Sequence, residues 1–389
     1  SGPVPFYCPP SLSTLPRGRT PGAVPYRPER SDQRMGRYER AVLIVNPVSG
    51  QARGLKLGNQ IRSSFEKRGI VCSVRVTSGA GDAGRWSRSA AEDGFDLIVA
   101  IGGDGTVGEV VSGQARAERK VPVAVVPVGT ANVVALALAL PWLPGMASDT
   151  ILGGRVLEFD VGYLPMHDRH FFLMAAIGYP AKVIQDSPRR LKNLFGIFTY
   201  LGAGVRNALN LNEVRIFIED EREVVHECEG NTILLSNIGK IGDINLKVTP
   251  DTSAHDGRFD VTIISSRSLW DLILVLFRML TWRYRPTPRL HHFQVTRAVI
   301  ATDPPVAVQI DGEDLGETHL EAEIVPGGVK FIVGDRYNPT TEGGGLLAGI
   351  RLKDLMQGKW KATAQGPRAE SRAGGERVDA CGTAADSVS

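Results

Sequence analysis

Apolar and polar positions along this chain follow two rhythms, and the change between them near Gly154 divides it. In the first part, residues 41–45, 97–101 and 123–126 are short uncharged apolar runs, and 71–77 alternates as a strand does. Between these runs the spacing turns helical: an amphipathic stretch over 55–68, another from Asp82, suited to cap it, to about Asp93, and a third from Thr106. In the third, Val107, Val110 and Val111 fall on one face. Strands alternating with helices predict a parallel sheet covered on both faces, the doubly wound α/β arrangement.

Past Gly154 the units shorten. Residues 156–164, 171–177, 214–218, 232–235, 259–264, 293–301, 306–310 and 320–325 read as strands separated by turn residues, which predicts a mostly antiparallel, β-sandwich-like domain. Two helices interrupt it, over 191–209 and 269–283. The second carries Asp271 and Arg278, is too short to span a bilayer, and is expected to pack on the sheet in preference to lying in a membrane interface. The expected organisation is a disordered extension over 1–37, an α/β domain over 38–153, a β-rich domain over 154–335 and a mostly disordered tail over 336–389. Within that tail, 347–361 has the pattern of a short basic amphipathic helix, for an anionic membrane or as a closing helix on the first domain.

Composition trims the possibilities. The 389 residues carry a formal charge of +3, which is no nucleic-acid footprint. Cys8, Cys72, Cys228 and Cys381 lack metal or redox spacing, so a reducing cytoplasmic setting is expected, and the seven histidines show no ligand spacing. Residues 121–144 contain no charge, yet Pro122, Pro127, Gly129, Asn132 and Pro141 would leave backbone groups unpaired in lipid. They punctuate a strand, a loop and a short helix instead. The amino terminus has no apolar segment of signal-peptide type, and Met35, just before Tyr38, makes the preceding residues an expected upstream extension.

The stretch of clearest chemical interest is 97–106, an apolar run that ends in Gly102-Gly103-Asp104-Gly105-Thr106 ahead of a helix. Glycines at the carboxyl end of a buried strand let backbone N–H groups approach a phosphate, and the following helix adds partial positive charge. A plain tight turn is the alternative. Neither a Walker lysine nor the spaced-glycine dinucleotide fingerprint is present. Later in the chain, Asp311-Gly312 between alternating segments is a strong hairpin signal, and such a turn can also push a carboxylate into a cleft.

Taken in order, Asn46-Pro47-Val48-Ser49-Gly50, Gly102 to Thr106 with Glu109-Val110-Val111, Pro127-Val128-Gly129-Thr130-Ala131-Asn132, Asp256-Gly257-Arg258-Phe259-Asp260 and Asp311-Gly312-Glu313 form a series. The series resembles the diacylglycerol kinase catalytic-domain family, which includes soluble bacterial diacylglycerol kinases and the sphingosine and ceramide kinases, over about residues 40–333. The resemblance implies an amino-terminal α/β nucleotide domain, a carboxy-terminal β-rich lipid domain and an active site between them. It implies transfer of the ATP γ-phosphate to a lipid hydroxyl with Mg²⁺. Asn46, Pro47, Gly50, Thr77, Gly102, Gly103, Gly105, Thr106, Glu109, Gly129, Thr130 and Asn132 would hold the nucleotide, with Arg190 or Lys192 helping from the second domain. Asp104 would organise the phosphates through ATP-bound Mg²⁺, Asp311 would be the general base and Glu313 its metal- or nucleotide-side partner. Asp256 resembles a structural Mg²⁺ loop.

Two positions depart from the family pattern: Gly108 stands where Asn is usual, and Val133 where the bacterial diacylglycerol kinases have Asp. The second departure, shared with sphingosine kinases, makes a sphingoid base or ceramide a candidate beside diacylglycerol. An NAD kinase-type phosphotransferase shares the Gly-Gly-Asp-Gly-Thr loop, but the Asp-Gly-Glu turn and the apolar 269–282 segment favour lipid. A non-catalytic nucleotide- or lipid-binding protein on the same fold is a third reading. A lipid substrate implies a cytoplasmic protein in transient peripheral contact with a membrane, with no nucleic-acid partner and with a homodimer left open.

Overall fold

The computed structural model describes residues 38–50, 53–140, 147–179, 181, 212–241, 246–247, 252–266, 290–335 and 337. The helices expected over 191–209, 269–283 and 347–361, the extension over 1–37, and Arg190 and Lys192 lie outside the described residues.

Four strands, β1 (Arg40–Val45), β2 (Val71–Val76), β3 (Leu97–Gly102) and β4 (Val123–Pro127), pair in parallel in the order β2-β1-β3-β4. Their side chains divide between two cores. Leu43, Val45, Val99 and Ile101 pack against Leu57, Ile61 and Phe65 of α1 (Arg53–Glu66) and Ile151 of α5 (Ala147–Gly153). On the other face, Val42, Ile44, Ile98 and Ala100 meet α2 (Asp82–Ser89), α3 (Asp104–Arg116) and α4 (Val133–Ala137). Strands that face hydrocarbon on both sides are apolar throughout, as the sequence pattern required.

The ten-stranded sheet does not stop at β4. The long strand β18 (Leu320–Val333) pairs in parallel with β4 through Phe331 and Val123, and antiparallel with β5 (Arg155–Leu164) and β15 (Arg297–Asp303). Beyond β15 lie β8 (Val214–Asp220) and β9 (Val225–Gly230), and β5 carries the short β6 (Arg169–Phe171). A second, antiparallel sheet runs β14 (Leu290–Val295), β13 (Phe259–Ile264), β10 (Thr232–Ser236), β7 (Met174–Gly178), β16 (Ala307–Ile310), β17 (Glu313–Glu317). Phe171, Ile216, Ile218, Leu235, Phe259, Ile300 and Ile310 fill the space between the two sheets. The fold is thus a doubly wound α/β layer continued into an antiparallel β-sandwich.

Several boundaries differ from the sequence pattern. The strand expected over 293–301 is two strands broken at Thr296, because the chain there leaves one sheet for the other. The strand expected over 171–177 is broken for the same reason, at Phe172 and Leu173 between β6 and β7. The strand expected over 320–325 runs on to Val333, and β9 and β17, both polar in pattern, were not expected.

Candidate active site

All four parallel strands end at one edge, and their turns stack there. Gly103 and Gly129 pack backbone to backbone: a Cβ on Gly129 would lie 2.6 Å from the Gly103 Cα. A Cβ on Gly50 would lie 2.1 Å from the Val128 carbonyl oxygen, so the first turn also rests on the end of β4. Asn46 joins the first turn to the second, its Nδ2 donating to Thr106 Oγ1 at 3.1 Å while its Oδ1 accepts from the Val48 amide at 3.1 Å. Asn132, buried and at φ 49°, locks the third turn by exchanging two 2.8 Å hydrogen bonds with the backbone of Gly129. Asn tolerates this left-handed conformation better than most residues.

Carboxylates then tie the helices to these turns. Asp104 Oδ1 accepts from the Val134 amide in the first turn of α4 at 3.0 Å, and Glu109 Oε2 from the Ala83 amide of α2 at 3.2 Å. Both satisfy helix N–H groups that have no partner inside their own helix. Asp82, expected as a helix cap, is instead the first helical residue. Its carboxylate accepts from the Ser78 amide and hydroxyl, each at 2.8 Å, and from Gly79, which shapes the 78–81 turn and holds its pKa below the usual range.

The opposing wall comes from the β-sandwich. Asp311 (φ 47°) and Gly312 (φ 87°) form a two-residue hairpin turn between β16 and β17, with Ile310 paired to Glu313. Because the chain between β6 and β7 is passing from one sheet to the other, the amides around Phe172 lack ladder partners. The Asp311 carboxylate takes them: Oδ2 accepts from Phe172 at 2.7 Å, and Oδ1 from Leu173 at 2.8 Å and Met174 at 3.0 Å. Burial pushes its pKa up to about 6, and the charge of Asp104 adds to this, against the three hydrogen bonds that favour the carboxylate.

Between the two walls is a cleft of about 630 Å³, a size ordinary for a small-molecule site. Its lining includes Asn46, Pro47, Thr77, Asp104, Gly105, Thr106 and Glu109 from the α/β side, and Asp311 and Glu313 from the hairpin. Glu313 Oε1 lies 3.5 Å from where a Cβ on Gly105 would stand, so the late hairpin faces the early glycine turn across one side chain's width. Gly50, Gly102, Gly103, Gly129 and Asn132 lie behind the lining as supports, and Thr130 is exposed outside it.

Sequence reasoning missed four lining residues with polar side chains: Ser78, Ser112, Arg169 and His170. Ser112 stands about two turns into α3 with no distinctive spacing to mark it, and Arg169-His170 sit in a polar run that reads as a turn. Only pairing with β5 carries them to the cleft. Ser112 Oγ meets His170 Nδ1 at 3.2 Å, and burial lowers the His170 pKa to about 4, so the ring is neutral at pH 7.

Among the described residues no group of three or more His, Cys, Asp or Glu side chains is arranged to hold a metal ion. Asp256 accepts from the Arg258 amide and is pushed up to about 7 by burial and by Asp260 and Asp160. These carboxylates on their own do not fit an inner-sphere cation. In the cleft the requirement is smaller: a Mg²⁺ carried in by a triphosphate keeps phosphate and water ligands and needs one or two protein carboxylates. Asp104 and Glu313, one on each wall of the cleft, are carboxylates of the kind such an ion would need.

Comparison with known proteins agrees with this geometry. The diacylglycerol kinase catalytic domain model matches residues 40–164, and the YegS C-terminal NAD kinase beta sandwich-like domain model matches residues 174–333. The diacylglycerol kinase of Bacillus subtilis (strain 168) is 30% identical over 276 residues, covering 71% of this chain and 90% of that protein. The diacylglycerol kinase of Staphylococcus saprophyticus is 28% identical over 275 residues, 71% and 89% of the two chains. In three dimensions, a diacylglycerol kinase from Bacillus anthracis str. Sterne superposes with a TM-score of 0.59 at 22% identity, over 77% of this chain and 98% of that one, which bears on the fold alone. Two lobes of this build, matched along both, define an enzyme of the lipid kinase class. The chain belongs to the diacylglycerol kinase family. Among its described residues no helix is long and apolar enough to cross a membrane.

Proposed function

We propose that this enzyme transfers the γ-phosphate of Mg²⁺-bound ATP to the hydroxyl of a diacylglycerol-, sphingoid- or ceramide-like lipid presented at a membrane surface. The observation that supports this reading above others is the Asp311 carboxylate, fixed by three amides and facing the Asp104–Thr106 turn across the cleft. Phosphoryl transfer asks the protein to align two oxygens, to offset charge on the phosphates and to accept one proton. In this reading the amides of the Asp104–Thr106 turn and Asn46 hold the phosphates, and Asp104 and Glu313 would hold the Mg²⁺, which offsets charge on the triphosphate. The lipid oxygen bonds to the γ-phosphorus as the bond to the β–γ bridging oxygen breaks. ADP leaves with that electron pair, and the hydroxyl proton passes to Asp311.

Asp311 must be unprotonated to act as the base. With its pKa raised to about 6, kcat/KM is expected to be flat above pH 7 and to fall about tenfold per unit below pH 6. His170, neutral down to about pH 4, adds no second limb in that range. A lipid rate with no inflection between pH 5 and 7 would remove Asp311 from the role.

The substrate is tested with the full chain, γ-labelled ATP and mixed micelles of diacylglycerol, sphingosine or ceramide, with NAD in a parallel arm. Label in one lipid class is expected. Label in NAD alone would assign an NAD kinase, and ATP binding without turnover on any acceptor would assign a non-catalytic protein. The departures at Gly108 and Val133 bear on which lipid is taken. A Cβ on Gly108 would meet nothing within 4 Å, so this part of the cleft is open beside Glu109 and Ser112, and Val133 packs against the apolar core. We further propose that residues 38–153 serve the nucleotide and 154–335 the lipid, although the sheet through β18 and β4 joins them.

A further inference from the structure

The cleft is acidic on both walls, with Asp104 and Glu109 on one side and Asp311 and Glu313 on the other. A nucleoside triphosphate brings about four more negative charges, so charge balance requires cations beyond one Mg²⁺. Among the described residues that line the cleft, Arg169 is the only one with a permanent positive charge. Its Nη2 lies 2.5 Å from Glu313 Oε2, and the other oxygen of the same carboxylate is the one that faces Gly105. The guanidinium therefore stands at the junction of the hairpin and the glycine turn.

Its mounting is firm. Asp168 is bound by Arg116 of α3 at 2.9 Å, with a second contact from Arg116 to the Asp168 carbonyl, and His170 meets Ser112 of the same helix. The two neighbours of Arg169 are thus tied to the helix that begins at Asp104, while the residues just after β6 cradle Asp311. The stretch that carries Arg169 is anchored both to the helix that follows the phosphate turn and to the Asp311 carboxylate.

We propose, resting on the kinase reading above, that Arg169 is a catalytic residue that contacts the transferred phosphoryl group, and that Glu313 holds its guanidinium ready in the empty cleft. Arginine suits this task because its planar fork meets two phosphate oxygens at once, and lysine offers only a point charge. As the γ-phosphorus exchanges its bridging oxygen for the lipid oxygen, Arg169 neutralises the equatorial oxygens and is itself unchanged.

The test uses the full chain with Arg169→Met and Arg169→Lys, each checked for wild-type melting. ATP and ADP affinities are measured with Mg²⁺ by calorimetry, and kcat and KM are measured on the lipid that wild type phosphorylates best. A group that acts on the transferred phosphoryl is expected to cost Arg169→Met about 10²–10³-fold in kcat. ATP affinity should fall more than ADP affinity, because only ATP carries the γ-phosphate, and Arg169→Lys should recover part of the kcat. A kcat within threefold of wild type, or equal losses for ATP and ADP, overturns the proposal. If wild type phosphorylates no lipid, the kinase reading fails on its own, and the ATP-against-ADP comparison still decides whether Arg169 meets the γ-phosphate. If Arg169→Met melts early, Arg169→Lys carries the same comparison.

Discussion

Asp311→Asn is expected to lower kcat on the lipid substrate by about 10²–10⁴-fold, the range for loss of a positioned general base, while ATP affinity changes by less than about threefold. The substitution is close to isosteric, and Asn accepts the positive φ that this turn position requires. The hairpin therefore persists. What changes is the acceptor set: a carboxylate takes three amides from Phe172, Leu173 and Met174, whereas the Asn amide group turns an NH₂ toward one of them. The stability cost of that mismatch is about 1–3 kcal/mol, visible as a lower melting temperature. Steady-state kinetics with labelled ATP, alongside calorimetry, separate the loss of the base from loss of fold. Turnover within threefold of wild type would end the assignment of Asp311.

Gly129→Ala is expected to damage nucleotide binding from behind the cleft. Its Cβ would stand 2.6 Å from the Gly103 Cα and 2.8 Å from Asn132 Oδ1, and neither neighbour is the free end of a flexible side chain. The two turns must separate, which costs about 1–3 kcal/mol as overpacking does elsewhere. Moving Gly103 moves Asp104 and the amides after it, so ATP affinity should fall by about tenfold or more. Gly153→Ala is the matched control. A Cβ there meets nothing within 4 Å, the residue ends α5 outside the cleft lining, and its variant should melt and bind ATP as wild type does. Equal ATP affinity in Gly129→Ala and wild type would show that the packing of the two turns does not matter to the site.

Much of this architecture was legible in the residues. Runs such as Leu97–Gly102, apolar on both faces, have no stable place except inside a covered parallel sheet, and the structure puts each of them there. The Asp311-Gly312 pair was readable as a hairpin from its local chemistry alone, and the structure makes it one. The motif series carried the family, which the matches over both lobes bear out.

Other features were not legible, and the causes are particular. The break between β14 and β15 sits in an alternating run, so nothing local signals that the chain changes sheets at Thr296. The amides that hold Asp311 belong to residues 137 to 139 positions away, and they are available only because another sheet crossing left them unpaired. Arg169 and His170 are polar residues near a turn until β6 pairs with β5.

The amino-acid sequence by itself determined the four parallel strands, the helices that follow the first three of them, the glycine turns and the kind of enzyme this is, because each rests on patterns within a few residues or on motif order. Tertiary structure alone decided that Glu313 faces Gly105, that Asp311 is cradled by three amides at a raised pKa, and that Arg169 lines the same cleft paired to Glu313. Those facts depend on long-range strand pairing, which fixes where a side chain ends up without leaving any mark on its neighbours in the chain.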